Sequence, residues 1–195
     1  MARAGLGPQW ECRLANDIDA AKGAAYSNRW GGKEIVLGDV SNLRSEDFRG
    51  CADLAWASFP CQDLSLAGNG AGLNGTRSGA FWGFWRQMET LQHENRAPAI
   101  VVLENVCGAL TANEGKDFSL LVDTIVQGGY RVGPMVMDAV HFLPQSRPRL
   151  FVVAVRDELV IPGALVSDTP GDLWHPRHLH GFGGRCLLRP RERFG

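Results

Sequence analysis

The sequence predicts an α/β fold: a mostly parallel, doubly wound sheet with helices on both faces. Two observations predict it. Apolar runs of strand length alternate with segments of helical periodicity from about residue 11 to residue 155. The 195 residues are 45% hydrophobic, ordinary for a globular chain and enough for one domain with a real core. No apolar run reaches the roughly 18–20 residues of a membrane span. The N-terminus lacks the basic, apolar and small-residue order of a signal peptide. The chain is therefore read as cytoplasmic, with no membrane partner and as a monomer.

The elements follow in order. Residues 11–15 read as a strand and residues 20–30 as a helix. Glu34–Leu37 is a strand, followed by a short helical stretch near Ser45–Phe48. Residues 52–57 form a strand that runs into a long polar, glycine-rich loop over 60–78. Gly79–Asn95 is a helix, with Phe81, Phe84, Trp85, Met88 and Leu91 at helical spacing. Residues 99–103 are a buried strand. Residues 117–126 are a helix closed by Gly128-Gly129. Residues 131–140 and 150–155 are the last strands. Beyond about Pro162 periodicity is lost. This divides the chain into a domain over 1–160 and an irregular Arg/Gly/Pro-rich tail over 161–195. In such sheets ligands sit at the carboxyl ends of the strands.

Charge and cysteine content exclude little. The net charge is −1, but residues 176–195 hold five Arg against one Glu. Nucleic acid is neither indicated nor excluded, since a cleft needs only local Arg residues to hold phosphates. Five widely spaced cysteines, without a C-x-x-C pair, read as free thiols. His175, His178, His180 and Cys186 are rich in potential ligands, but their spacing matches no common zinc pattern, so no metal is expected. No G-x-G-x-x-G follows a strand, which argues against a nicotinamide oxidoreductase.

One cysteine stands in a distinctive place. Cys61 lies just past the 52–57 strand, in Ser58-Phe59-Pro60-Cys61-Gln62-Asp63-Leu64-Ser65. Pro60 cannot pair in a ladder, so the chain leaves the sheet there. A thiol at that point is placed to meet a ligand, given an environment that favours the thiolate. A surface turn with an incidental cysteine fits the local pattern equally well. Taken alone, Glu104 also reads as a helix cap or ion-pair partner, and Arg147 and Arg149 as solvated charges flanking Pro148.

Together these segments resemble one family. Phe59-Pro60-Cys61-Gln62 with Ser65, followed by Arg77-Ser78-Gly79 opening a helix, is similar to the signature loop of the DNA cytosine-5 methyltransferases. Leu103-Glu104-Asn105-Val106 resembles that family's Glu-Asn-Val motif, and Gln145-Ser146-Arg147-Pro148-Arg149 its Gln-x-Arg-x-Arg motif. The three occur in the family's order, and the resemblance covers roughly residues 9–156. It implies a Rossmann-like, S-adenosylmethionine-dependent methyltransferase fold acting on double-stranded DNA.

By the resemblance, Cys61 is the nucleophile that adds to C6 of a flipped cytosine. C5 is then enamine-like and takes the methyl group, after which the C5 proton and the thiol leave. Glu104 would contact N3 and the exocyclic amine, protonated or sharing a proton as charge builds on the ring. Arg149 would hold the cytosine O2, and Arg147 would support the base or nearby backbone. Gln62, Ser65 and Arg77 would contact DNA. The cofactor S-adenosyl-L-methionine would meet Asp17 at its ribose hydroxyls, Ile18 at its adenine and Asp39 at the adenine amine. Val40, Phe59 and Pro60 would lie close by.

The family's Phe-x-Gly-x-Gly-Gly turn is not found. Residues 1–7 resemble the helix that follows that turn, so the sheet is expected to lack its first strand. No segment after 156 resembles the family's recognition region. The chain is thus expected to be truncated at both ends, with weak or no activity alone. A non-catalytic remnant of the same fold is the alternative, and an RNA-directed relative is a lesser one.

Overall fold

The computed structural model describes residues 2–59 and 79–165. The chain divides into two compact units, and the break between them falls after Asp53 and again after Pro98.

The first unit is described up to Asp53 and from 79 to Pro98. It contains α1 (Ala2–Leu6), β1 (Ala15–Asp17), α2 (Ala20–Trp30), β2 (Ile35–Leu37), two 3-10 turns (Val40–Asn42 and Ser45–Asp47) and α3 (Ala80–His93). β1 and β2 pair in parallel, with Asp17 opposite Leu37. Helix α2 begins at Asp19, whose Oδ1 accepts the N–H groups of Ala21 and Lys22 at 2.8 and 3.2 Å. It ends at Gly31, held at φ 88°, a left-handed conformation that costs glycine no Cβ clash. The helix lies close on β2 at Gly23, where a Cβ would collide with Leu37.

The short helix α1 matches the helix expected over residues 1–7. Its Arg3 bonds to Glu34 and to the Tyr26 hydroxyl, and its guanidinium lies 4.4 Å from the Trp30 ring centroid. Burial works against the Glu34 carboxylate. The Tyr26 and Arg3 donors outweigh it and hold that carboxyl below its ordinary range.

The first strand differs from expectation. The strand is expected over residues 11–15, but pairing begins only at Ala15 and takes in Asn16 and Asp17. Those two read as a turn because they are polar. Asn16 is accommodated because its side-chain amide donates to the carbonyls of Val36 and Gly38 at 2.9 and 3.0 Å. That amide ties the ends of the two strands together.

Helix α3 stops two residues before the expected Asn95. Asn95 takes φ 55°, and Asn95 and Arg96 donate to the carbonyls of Gln92 and Leu91, a Schellman closure.

The second unit is described from Leu54 to Phe59 and from Ala99 to 165. It holds β3 (Leu54–Ser58), β4 (Ile100–Asn105), 3-10 turns at Cys107–Leu110 and Ala112–Gly115, α4 (Lys116–Gln127), β5 (Tyr130–Asp138), a turn at Ala139–His141 and β6 (Pro148–Arg156). The strand order is β3-β4-β6-β5. β3 pairs with β4 in parallel, and β6 is antiparallel to both of its neighbours. β3, β4 and β5 therefore run one way and β6 alone is reversed. The sheet is mostly parallel by direction, as expected, and mixed by pairing.

Connection length explains the difference. β4 reaches β5 through α4, a crossover that permits parallel strands. β5 returns into β6 without a crossover helix, which obliges an antiparallel pair. β4 buries Val101, Val102 and Leu103 in succession, the mark of a strand covered on both faces. β5 and β6 instead alternate, with Val132, Val136, Leu150, Val152 and Ala154 buried. Helix α4 adds Phe118, Leu121 and Ile125 to this core, and Gly129 at φ 82° follows it as the Gly-Gly stop predicted.

Candidate active site

The expected site residues fall into two groups, one on each unit. Pro60, Cys61, Gln62, Ser65 and Arg77 lie outside the described residues.

In the first unit, Asp17 ends β1, Ile18 follows it, and Asp39 and Val40 follow β2. Parallel pairing puts both strand ends side by side, and the Gly38 N–H donates to the Asp17 carbonyl at 3.0 Å. Each carboxylate uses one oxygen on the backbone. Asp17 Oδ1 accepts the Asp19 N–H at 2.9 Å, and Asp39 Oδ1 accepts the Ser41 N–H at 2.8 Å. These bonds fix the side chains as turns and caps do. Each Oδ2 has no hydrogen-bond partner among the described residues and is open to a hydroxyl or amine donor. Ile18 is 73% exposed beside them, an apolar surface where a planar ring can lie. This set of acceptors beside an apolar surface is one that could hold the nucleoside part of S-adenosylmethionine. Val40 is set from below by α3, where Gly83 leaves no room for a Cβ against Ser41 and Val40.

In the second unit, Glu104 lies near the end of β4 and Arg149 near the start of β6. The register sets Glu104 opposite Phe151 on one side and opposite Ser58 on the other. Arg149 Nε is 3.7 Å from Glu104 Oε1, and both side chains are partly exposed. Glu104 Oε2 accepts the Ser58 hydroxyl at 2.7 Å. Ser58 in turn accepts the Trp56 indole N–H at 3.2 Å. Trp56 meets Phe151 edge-on, with ring centroids 6.0 Å apart. Phe59 is buried, and its carbonyl accepts the Asn105 amide at 3.1 Å. Asn105 thus fastens the chain just past β3 to the end of β4.

Arg147 is exposed, and its guanidinium has no polar partner among the described residues. Its backbone is held instead: the Arg147 N–H donates to Asp138 Oδ1 at 2.6 Å, and the Ser146 hydroxyl to Oδ2 at 2.8 Å. Burial alone would raise the Asp138 carboxyl. The N–H groups of Arg147 and Val140 and the Ser146 hydroxyl more than reverse this and hold it below the ordinary carboxylate range. Burial pushes the neighbouring Cys107 thiol up, against the pull of Arg149, so this thiol is kept protonated rather than activated.

Sequence reasoning missed Ser58, Asn105 and Asp138 as members of this cluster. Asn105 was within reach as part of the Glu-Asn-Val segment. Ser58 and Asp138 carried no signal, because their partners are 46 and 9 residues away in sequence.

Comparisons with known proteins identify the fold and the family. The fold is that of the methyltransferases. The structure matches the S. pombe Dnmt2 methyltransferase with a TM-score of 0.59 at 22% identity, over 84% of this chain and 51% of that one. It matches the Entamoeba histolytica methyltransferase EhMeth with a TM-score of 0.55 at 18% identity, over 76% of this chain and 47% of that one. The C-5 cytosine-specific DNA methylase family model matches residues 1–177, and the chain belongs to that family.

Among named relatives, the type II methyltransferase M2.BsuMI of Bacillus subtilis is 37% identical over 139 residues, 71% of this chain and 34% of that protein. M.Eco47II of Escherichia coli is 34% identical over 151 residues, 75% of this chain and 34% of that protein. The chain spans about a third of the length of these relatives. No helix among the described residues is long and apolar enough to cross a membrane.

Proposed function

We propose that the chain carries the base-binding chemistry of a DNA (cytosine-5-)-methyltransferase and works on double-stranded DNA with S-adenosyl-L-methionine. The observation that carries the reading is the meeting of Glu104 and Arg149 across β4 and β6, beside the end of β3. A carboxyl and a guanidinium this close present an acceptor or proton-sharing group next to a fixed donor. That pairing suits the N3, amine and O2 edge of a cytosine lifted from its stack.

Cys61 stands two residues after Phe59, which Asn105 anchors to β4. In this reading its thiolate adds to C6 while Glu104 shares a proton with N3 and Arg149 holds O2. Arg147, its backbone pinned by Asp138 and its side chain free, supports the base or its phosphate. Gln62, Ser65 and Arg77 contact DNA. Bound S-adenosyl-L-methionine supplies the methyl group that C5 accepts. Asp17 and Asp39 hold its ribose and adenine amine, Ile18 and Val40 flank the ring, and Phe59 and Pro60 lie near it. We take the catalytic domain to extend over residues 1–160; the tail expected over 161–195 lies outside the described residues from 166 onward, and the chain acts as a monomer without a metal.

Trapping tests the reading. Duplex DNA containing 5-fluorocytosine, with the cofactor, should give an adduct that survives denaturing gels, and Cys61→Ser should give none. An undiminished adduct in that variant rejects the nucleophile assignment. Turnover by this chain is expected to be weak. Tritium transfer from labelled cofactor measures it, and robust transfer overturns that expectation.

A further inference from the structure

We propose that Ser58 is a positioning residue for Glu104: its hydroxyl, oriented by the Trp56 indole, holds the Glu104 carboxylate in place. The inference deepens the reading above, in which Glu104 contacts the base.

The hydrogen-bond directions leave little choice. An indole N–H only donates, so at 3.2 Å the Ser58 oxygen must accept from Trp56. The hydroxyl has one proton to give. The acceptor in range is Glu104 Oε2 at 2.7 Å, a separation typical of a hydroxyl on a carboxylate. This contact is a full ångström shorter than that from Arg149 to Oε1, so Ser58 is the closer hold on the carboxylate.

The arrangement is also built in by the sheet. Trp56 and Ser58, two apart on β3, share a face of that strand. Ser58 is the register partner of Glu104, and Glu104 is the register partner of Phe151. The Trp56 ring rests its edge on Phe151. Trp56, Ser58, Glu104 and Phe151 thus close a ring of contacts across three strands. The carboxylate is left with Oε1 facing Arg149.

The carboxyl carbon of Glu104 reports the hydrogen bond it accepts, so losing the Ser58 hydroxyl must move its signal. The test is carbon NMR of the intact chain labelled at glutamate, at one fixed neutral pH, with the Glu104 side-chain signal assigned by its loss in Glu104→Gln. In Ser58→Ala that signal should move from its parent position. Ser58→Thr, which restores a hydroxyl, should return it. Trp56→Phe keeps a ring against Phe151 but loses the N–H, and should move it by less.

An unmoved Glu104 signal in both Ser58→Ala and Trp56→Phe overturns the proposal. So does a Ser58→Thr variant that shifts as far as Ser58→Ala. Should Ser58→Ala fail to fold, Trp56→Phe and Ser58→Thr decide it. The readout needs neither DNA nor turnover. A chain that forms no 5-fluorocytosine adduct would overturn the proposed function and leave the Ser58 result standing.

Discussion

The backbone N–H of Arg147 donates to Asp138 Oδ1 at 2.6 Å, fastening the approach to β6 onto the end of β5. The same carboxylate takes the Ser146 hydroxyl and the Val140 N–H. One half-buried aspartate thereby shapes the segment that leads to Arg149.

This bond predicts a pH dependence with a definite sign. The folded Asp138 carboxyl titrates below its ordinary value of 3.8, so its contribution is present above that value. It is lost as pH falls through the depressed folded value. Protection factors for the Arg147 and Val140 amides should therefore drop below about pH 4, while those of the β6 interior hold. Asp138→Ala should lower both at neutral pH and abolish the dependence. Hydrogen exchange measured across pH 2.5–6 (roughly, bracketing the carboxylate range) checks it, and a flat profile in the parent chain would reject the role.

Asn105 offers a second test. Its buried amide holds the Phe59 carbonyl, and its own Oδ1 accepts the Val106 N–H at 2.8 Å. Asn105→Ala strips partners from two backbone groups. The expected loss is about 1–3 kcal/mol in urea unfolding, since an orphaned polar group costs more than a made bond contributes. A variant as stable as the parent would show that water satisfies both groups.

Gly83 sets two effects against each other. Alanine is the better helix former by about 1 kcal/mol. Its Cβ would however collide with Ser41, lie 2.9 Å from Val40 Cγ1 and press on the Ser41 backbone nitrogen at 3.2 Å. Overpacking costs about 1–3 kcal/mol, and a backbone atom gives way poorly, so Gly83→Ala should destabilise. Calorimetric titration should also show weaker binding of S-adenosylmethionine, through the displaced Val40. Gly108→Ala is the control. Its Cβ meets nothing within 4 Å, and the change should stay within about 0.5 kcal/mol.

The Glu104–Arg149 pair predicts a catalytic result. Glu104→Gln keeps the shape and loses the proton-sharing carboxyl. It should slow 5-fluorocytosine adduct formation by about 10²-fold or more against the parent. Arg149→Lys should fail to restore what Arg149→Ala loses, because an ammonium lacks the planar fork of donors. Gel-resolved adduct rates decide both, and a fully active Arg149→Lys would assign Arg149 a simple charge role.

The α/β class, helices α2, α3 and α4 and the apolar strands were legible in the sequence, since periodicity and glycine stops are local signals. Glu104 and Arg149 were legible too, but only through their resemblance to family motifs. Local patterning failed where a side chain rather than an apolar run makes the strand. Asn16 is the case in point, a polar residue drawn into β1 by its bonds to β2.

By itself the sequence determined which residues are candidates for the chemistry and that most precede or follow a strand. Only the tertiary structure decided that Glu104 and Arg149 meet. Arg147 and Arg149 come before or at the start of their strand, whereas ligand-facing groups belong at strand ends. The reversal of β6 resolves this: its beginning lies beside the end of β4 and the end of β5. That reversal comes from a connection without a crossover helix. It brings Arg149 to Glu104 across 45 residues of sequence and leaves Ser58, which carried no signal of its own, as the nearest hold on that carboxylate.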